Sequence, residues 1–113
     1  MRIVTGAGVY ASPAGPHAAN HYAEHLSVPD LSVGTYSIPA GGVDDQTPHT
    51  EDEIYVVTAG RARIVTSDGT ADVGPGAVIF VPAGEEHRFV DIAEDLALLV
   101  VFAPAYKSRQ VNP

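Results

Sequence analysis

Apolar positions along this chain do not recur at helical spacing; they come in short runs closed off by glycine and proline. The run LSVGTYSI over Leu31–Ile38 is β-branched and aromatic and lies between Pro29 and Pro39-Ala40-Gly41-Gly42, which predicts a strand. Residues 53–58 and 61–66 predict two more, with Ala59 and Gly60 as the turn or bulge between them. Ser67-Asp68-Gly69 carries an Asp-Gly hairpin signal and leads into a strand at 70–73. Gly74-Pro75-Gly76 opens a strand at 77–81, and Pro82-Ala83-Gly84 opens one at 86–92. The segment LALLVVF, residues 96–102, is apolar throughout, of strand length and ended by Pro104, so it is expected at the buried centre of a sheet. Residues 1–30 read as largely irregular, because Gly6, Gly8, Pro13, Gly15, Pro16 and Pro29 interrupt every period, and residues 107–113 as a loose tail.

Short strands with a turn signal every few residues give an all-β sandwich or barrel. The 113 residues have room for one domain and one core, and no internal repeat or linker divides them. Composition sharpens this picture in three ways. The 11 glycines and 9 prolines leave few windows long enough for an ordinary helix. The absence of cysteine excludes a disulfide framework and thiolate metal ligands, and suits a reducing compartment. A formal charge of −8 with six basic residues repels phosphate backbones and anionic membranes, so neither nucleic acid nor membrane is expected as a partner. No basic segment precedes an apolar run at the N-terminus, and the expected location is cytoplasmic.

Candidate chemistry follows from strand alternation. Side chains two apart share a face, so His49, Glu51 and Glu53 align if that stretch is extended, as do His87, Phe89 and Asp91. Imidazoles and carboxylates from the two stretches would then converge. Two neutral imidazoles and one carboxylate form a facial set on a divalent metal that leaves other positions open. No phosphate-cradling glycine loop, dinucleotide fingerprint, G-x-S-x-G elbow or cysteine nucleophile offers a rival chemistry.

The spacing of these residues carries a family resemblance. Gly41, Thr47, His49, Glu53 and Gly60 fall at the positions of G-x5-H-x-H-x3-E-x6-G, with threonine in place of the first histidine. Gly76, Pro82, Gly84, His87 and Asp91 fall at those of G-x5-P-x-G-x2-H-x3-N, with aspartate in place of asparagine. In both, the chain resembles small single-domain members of the cupin superfamily. The resemblance implies a double-stranded β-helix, or jelly-roll, barrel with its site inside. It also implies a divalent ion (iron, manganese, nickel or zinc) held by His49, Glu53 and His87. Glu51 is the rival for Glu53, but only Glu53 keeps the six-residue spacing to Gly60. At the position of Thr47, a hydroxyl is a poor replacement for imidazole. Either Gln46 brings in its amide oxygen, helped by irregular backbone at Pro48, or water completes the set.

Beyond the ligands, Tyr55 shares the phase of Glu53 and Asp91 that of His87, and both are candidate catalytic groups. Val57 and Phe89 read as core, and Tyr36 as a weaker lining candidate. His17, His21 and His25 repeat every four residues without a completing carboxylate, which favours a solvated face or an oligomer contact. Arg61 and Arg63 are expected to pair with acids such as those at 51 and 52. Asp44, Asp45, Glu51, Asp52, Glu85 and Glu86 would make an acidic mouth that favours neutral or phenolic molecules over polyanions. Resemblance to the family thus implies a metal-dependent enzyme on a small organic molecule, with dioxygenation leading and isomerase, lyase and cyclase activities also represented. The alternative is a non-catalytic small-ligand-binding or sensor barrel. A homodimer is implied by the same resemblance.

Overall fold

The computed structural model describes residues 1–15 and 18–109. Among the described residues eight strands form in chain order: β1 His21–Val28, β2 Leu31–Ile38, β3 Asp52–Ala59, β4 Ala62–Thr66, β5 Gly69–Val73, β6 Val78–Val81, β7 His87–Val90 and β8 Leu96–Ala103. Every pairing is antiparallel, in a five-stranded sheet of order β1-β2-β8-β3-β6 and a three-stranded sheet of order β5-β4-β7. The chain crosses between sheets at each of β3–β4, β5–β6, β6–β7 and β7–β8. This is the double-sheet closure of a jelly roll. No helix among the described residues is long and apolar enough to cross a membrane.

β8 lies between β2 and β3, and Leu96, Leu98, Val100 and Phe102 on it are all 2% exposed or less. A uniformly apolar strand is stable there because both of its edges are paired and its inner face meets Ile38, Tyr55, Val57 and Phe89 in the core. β3 alternates as its sequence requires: Glu53, Tyr55 and Val57 point inward, and Asp52 and Ile54 outward. Gly60 turns the chain from one sheet to the other with φ of 86°, against the backbone of Asp95 and Leu96, where a Cβ would lie 2.3 Å from the Asp95 carbonyl oxygen. Only glycine fits there.

Two expectations for the chain ends are corrected. Residues 21–28 form an edge strand rather than irregular chain, paired to β2 with a register shift between Glu24 and Leu26. Upstream, the Gly8 and Ala11 N–H groups donate to Thr35 Oγ1 and Ser37 Oγ at 2.8 and 3.1 Å, strapping the N-terminal segment across the sheet. At the other end, residues 107–109 are fastened: the Lys107 and Arg109 N–H groups donate to the buried carboxylate of Glu51 at 3.2 and 3.4 Å. Residues 110–113 lie outside the described residues.

Candidate metal centre

The site lies at one end of the barrel interior, where both sheets and the segment before β3 contribute. Glu53 points inward from the start of β3, beside Val81 of β6 and Phe102 of β8. His87 opens β7, and Gly84 with φ of 81° sets the preceding turn, its N–H donating to the His49 carbonyl at 2.7 Å. That bond joins the two histidine segments directly.

One donor atom each from His49, Glu53 and His87 lies within 4.8 Å of the others. Glu53 Oε1 is 3.1 Å from His87 Nε2 and 3.9 Å from His49 Nε2. Yet Glu53, 2% exposed, has an Oε1 atom without any hydrogen-bond partner. A carboxylate oxygen buried in this way is costly unless a cation compensates it. Two imidazole nitrogens converging on the same point complete a donor set that suits a divalent ion. On the opposite side of its ring, His87 Nδ1 donates to the Glu85 carbonyl at 2.9 Å, which leaves the Nε2 lone pair of the neutral ring facing inward.

Electrostatics separate the two histidines. Burial alone would lower His87, but the attraction of the Glu53 carboxylate 3.1 Å away and the bond to the Glu85 carbonyl outweigh it and hold the ring above its ordinary value of 6.5. His49 is lowered, because burial outweighs the attraction of Glu53. Burial and the Glu53 charge push Tyr55 well above 10, so its hydroxyl keeps its proton. That hydroxyl lies 3.0 Å from both His87 Nε2 and Gln46 Oε1.

Thr47 is exposed, whereas Gln46 reaches inward, its Oε1 2.9 Å from His49 Nε2. No strand covers residues 43–50, so strand phase does not govern the direction of Gln46. Asp44 governs it instead. This carboxylate, 1% exposed, accepts from Gln46 Nε2 at 2.8 Å, Tyr36 Oη at 2.8 Å and the Phe89 N–H at 2.9 Å. Sequence reasoning placed Asp44 in an acidic mouth; it is an interior acceptor. Glu51 is likewise interior, bound to the C-terminal turn, and takes no place beside Glu53.

Asp91 is not in the site. Its φ of 51° ends β7, and its side chain is 72% exposed with Oδ2 3.8 Å from Arg63 Nη1. Arg63 also binds Asp72 at 2.9 Å, so its partners are Asp72 and Asp91 rather than the acids at 51 and 52. His25 Nε2 is bonded to Thr35 Oγ1 at 2.6 Å; His17 lies outside the described residues.

Next to the donor set is a cavity of about 160 Å³ whose wall includes Tyr22, Tyr36, Tyr55, Val100, Phe102 and Tyr106. Val57 and Phe89 belong to the core, as expected. Tyr22 and Tyr106 went unread in the sequence. Tyr106 stacks on Phe102, centroids 4.6 Å apart, and meets the His49 ring edge-on at 5.5 Å. Each is the single tyrosine of its segment, β1 and the stretch after Pro104, so no local pattern pointed to either.

Comparison with known proteins agrees with the fold and the position of the motifs. The family model described as a cupin domain matches residues 34–102. An uncharacterized protein of Streptomyces coelicolor is 47% identical over 83 residues, covering 74% of this chain and 79% of that protein. Among solved structures, KdgF from a Halomonas species superposes with a TM-score of 0.69 at 21% identity, over 76% of this chain and 79% of that one. The DMSP lyase DddQ from Ruegeria pomeroyi gives a TM-score of 0.73 at 19% identity, over 97% of this chain and 57% of that one.

Proposed function

The chain belongs to the cupin domain family, and from that premise we propose that it holds a divalent metal on His49, Glu53 and His87 and acts on a small organic molecule in the adjoining cavity, with oxygenation as the leading reaction. The observation that carries this reading is the buried, unpartnered Glu53 Oε1 facing two imidazole Nε2 atoms. When bound there, an ion of the iron, manganese, nickel or zinc type supplies Lewis acidity and open positions for a substrate oxygen and O₂.

The chain's own residues define the rest. Val100, Phe102 and Tyr106 form an apolar wall beside the donor atoms. Among the described residues neither lysine nor arginine lines the cavity, and Asp45 adds a carboxylate to it, so anionic molecules are disfavoured and neutral or phenolic ones suit it. Its volume of about 160 Å³ suits a single ring, since an apolar cavity of about 150 Å³ accepts benzene. Tyr55 Oη, kept protonated beside the donor atoms, can donate a hydrogen bond to a substrate oxygen. A neutral donor that polarises a substrate oxygen favours a second reading, a lyase or isomerase whose turnover does not use O₂.

The test is elemental analysis of untagged protein purified without chelator, beside His87→Ala and Glu53→Ala, followed by oxygen uptake with single-ring phenols. Near-stoichiometric metal lost in both variants, with O₂ consumed, supports the leading reading. Substrate consumed without O₂ supports the second. Metal with ligand binding but no turnover reduces the protein to a binding barrel. No metal even after anaerobic Fe(II) reconstitution overturns the proposal.

A further inference from the structure

We propose that Gln46 supplies a fourth, oxygen donor to this centre, and that Asp44 is the positioning residue that aims it. The inference rests on the metal reading above. It starts from the amide itself: a glutamine presents an acceptor on one side and donors on the other, so its usefulness as a ligand depends on which way the group is turned. Asp44 decides the turn. Its Oδ2 accepts from Gln46 Nε2 at 2.8 Å, and an ionised carboxylate accepts only, so Gln46 Oε1 must face the opposite way.

That opposite way is the centre. Gln46 Oε1 lies 2.9 Å from His49 Nε2 and 3.0 Å from Tyr55 Oη. Donor atoms about 2.1 Å from one ion and at right angles to each other are separated by about 3.0 Å. The His49–Gln46 separation of 2.9 Å and the His87–Glu53 separation of 3.1 Å both match such an edge. A carbonyl oxygen has two lone pairs; one accepts from Tyr55, and the other faces His49 Nε2, a contact that an ion between the two atoms would replace. Thr47, in the position where the motif carries histidine, is exposed and contributes nothing.

Asp44 is held independently of Gln46. It accepts from Tyr36 Oη and from the Phe89 N–H on β7, two residues beyond His87, and it is 1% exposed. The carboxylate therefore ties the orientation of the Gln46 amide to the strand that carries His87. Replacing an imidazole by an amide oxygen also changes the chemistry of the set, to two nitrogen and two oxygen donors, which suits harder ions better than a three-histidine site does.

The experiment is a Co(II) titration of metal-free, full-length chain, read by visible absorption, for wild type, Gln46→Ala, Asp44→Asn and His87→Ala. Gln46→Ala is expected to bind about 10- to 100-fold more weakly and with a changed Co(II) spectrum, the range seen when the surroundings of a metal site are altered. Asp44→Asn is expected to follow Gln46→Ala, because in either orientation its NH₂ meets an N–H donor of Gln46, the side-chain amide or the backbone. Wild-type affinity and spectrum in Gln46→Ala, with metal lost in His87→Ala, would overturn this inference and leave the metal centre standing. Metal kept by His87→Ala instead removes the centre itself. Should Asp44→Asn not fold, the wild type is read directly: the Gln46 side-chain NH₂ resonances, assigned by their loss in Gln46→Ala, exchange slowly with solvent if Asp44 holds them, and rapid exchange rejects the positioning role.

Discussion

A positive φ decides what Asp91 does. At 51° the residue sits in the left-handed region, which asparagine and aspartate tolerate and β-branched residues do not. The motif position that usually carries asparagine is therefore a backbone requirement, and aspartate meets it while its carboxylate faces Arg63 and solvent. Asp91→Asn is expected to change stability by less than about 0.5 kcal/mol, whereas Asp91→Val should cost about 1–2 kcal/mol. Neither should alter bound metal, and urea denaturation with elemental analysis checks both. A loss of metal in Asp91→Asn would return the residue to the site. The same contrast shows what the sequence makes legible at this scale. His49, Glu53 and His87 could be read because strand alternation and fixed turn spacings bring them together. Asp91 could not, because alternation stops where φ changes sign. Gln46 and Asp44 were obscured for a different reason: Asp44 bonds to residue 89, 45 positions away, and no local pattern in the chain announces such a contact.

Within the five-stranded sheet, the strands that bury the most apolar surface were the most legible. β2 and β8 match their sequence signals closely, since both lie inside the five-stranded sheet and need apolar side chains on the barrel face. β1 is an edge strand, paired on one side only, with no residue fully buried. Its sequence, HYAEHLSV, therefore carries little apolar pattern, and the register shift near His25 breaks the rest. What fixes β1 is Tyr22. Its ring lies over Gly34 and meets Tyr36, Phe102 and Tyr106 edge-on, with centroids 6.4, 6.5 and 5.8 Å away. A Cβ at position 34 would lie 2.2 Å from the Tyr22 hydroxyl oxygen, so the ring would have to leave its place on the cavity wall. Gly34→Ala is expected to destabilise by about 1–3 kcal/mol, the usual cost of overpacking. In a Tyr22→Ala background the same substitution should cost less than about 0.5 kcal/mol, because the clash has been removed. A double-mutant cycle by chemical denaturation measures this coupling, and additive costs would show that Gly34 acts through the backbone instead.

On the scale of the whole molecule, the donor set spans the fold. Glu53 belongs to the five-stranded sheet, His87 to the three-stranded sheet, and His49 to the segment that leads into β3. An ion bound there ties the two layers together, and a ligand that binds only the folded chain stabilises it by about 2.7 kcal/mol at a hundred times its dissociation constant. The pH dependence follows from the two histidines. In the metal-free chain the His87 shift is upward, so its stabilisation by Glu53 is complete below 6.5 and is lost as pH rises through the higher folded value. The His49 shift is downward, so its contribution is present above 6.5 and is lost as pH falls through the lower folded value. An ion requires both Nε2 lone pairs. Just above pH 6.5 most of His49 is neutral and most of His87 is protonated, so the protons released per ion there should come chiefly from His87. Calorimetry in two buffers of different ionisation enthalpy gives that number, and thermal melts with and without metal give the stabilisation, which should be large at pH 8 and small at pH 5.5. A metal increment that stays flat across this range would mean that the ion does not compete with the His87 proton. The ligand assignment, rather than the fold, would then be at fault, because the hydrophobic core that joins the two sheets includes none of the three donors.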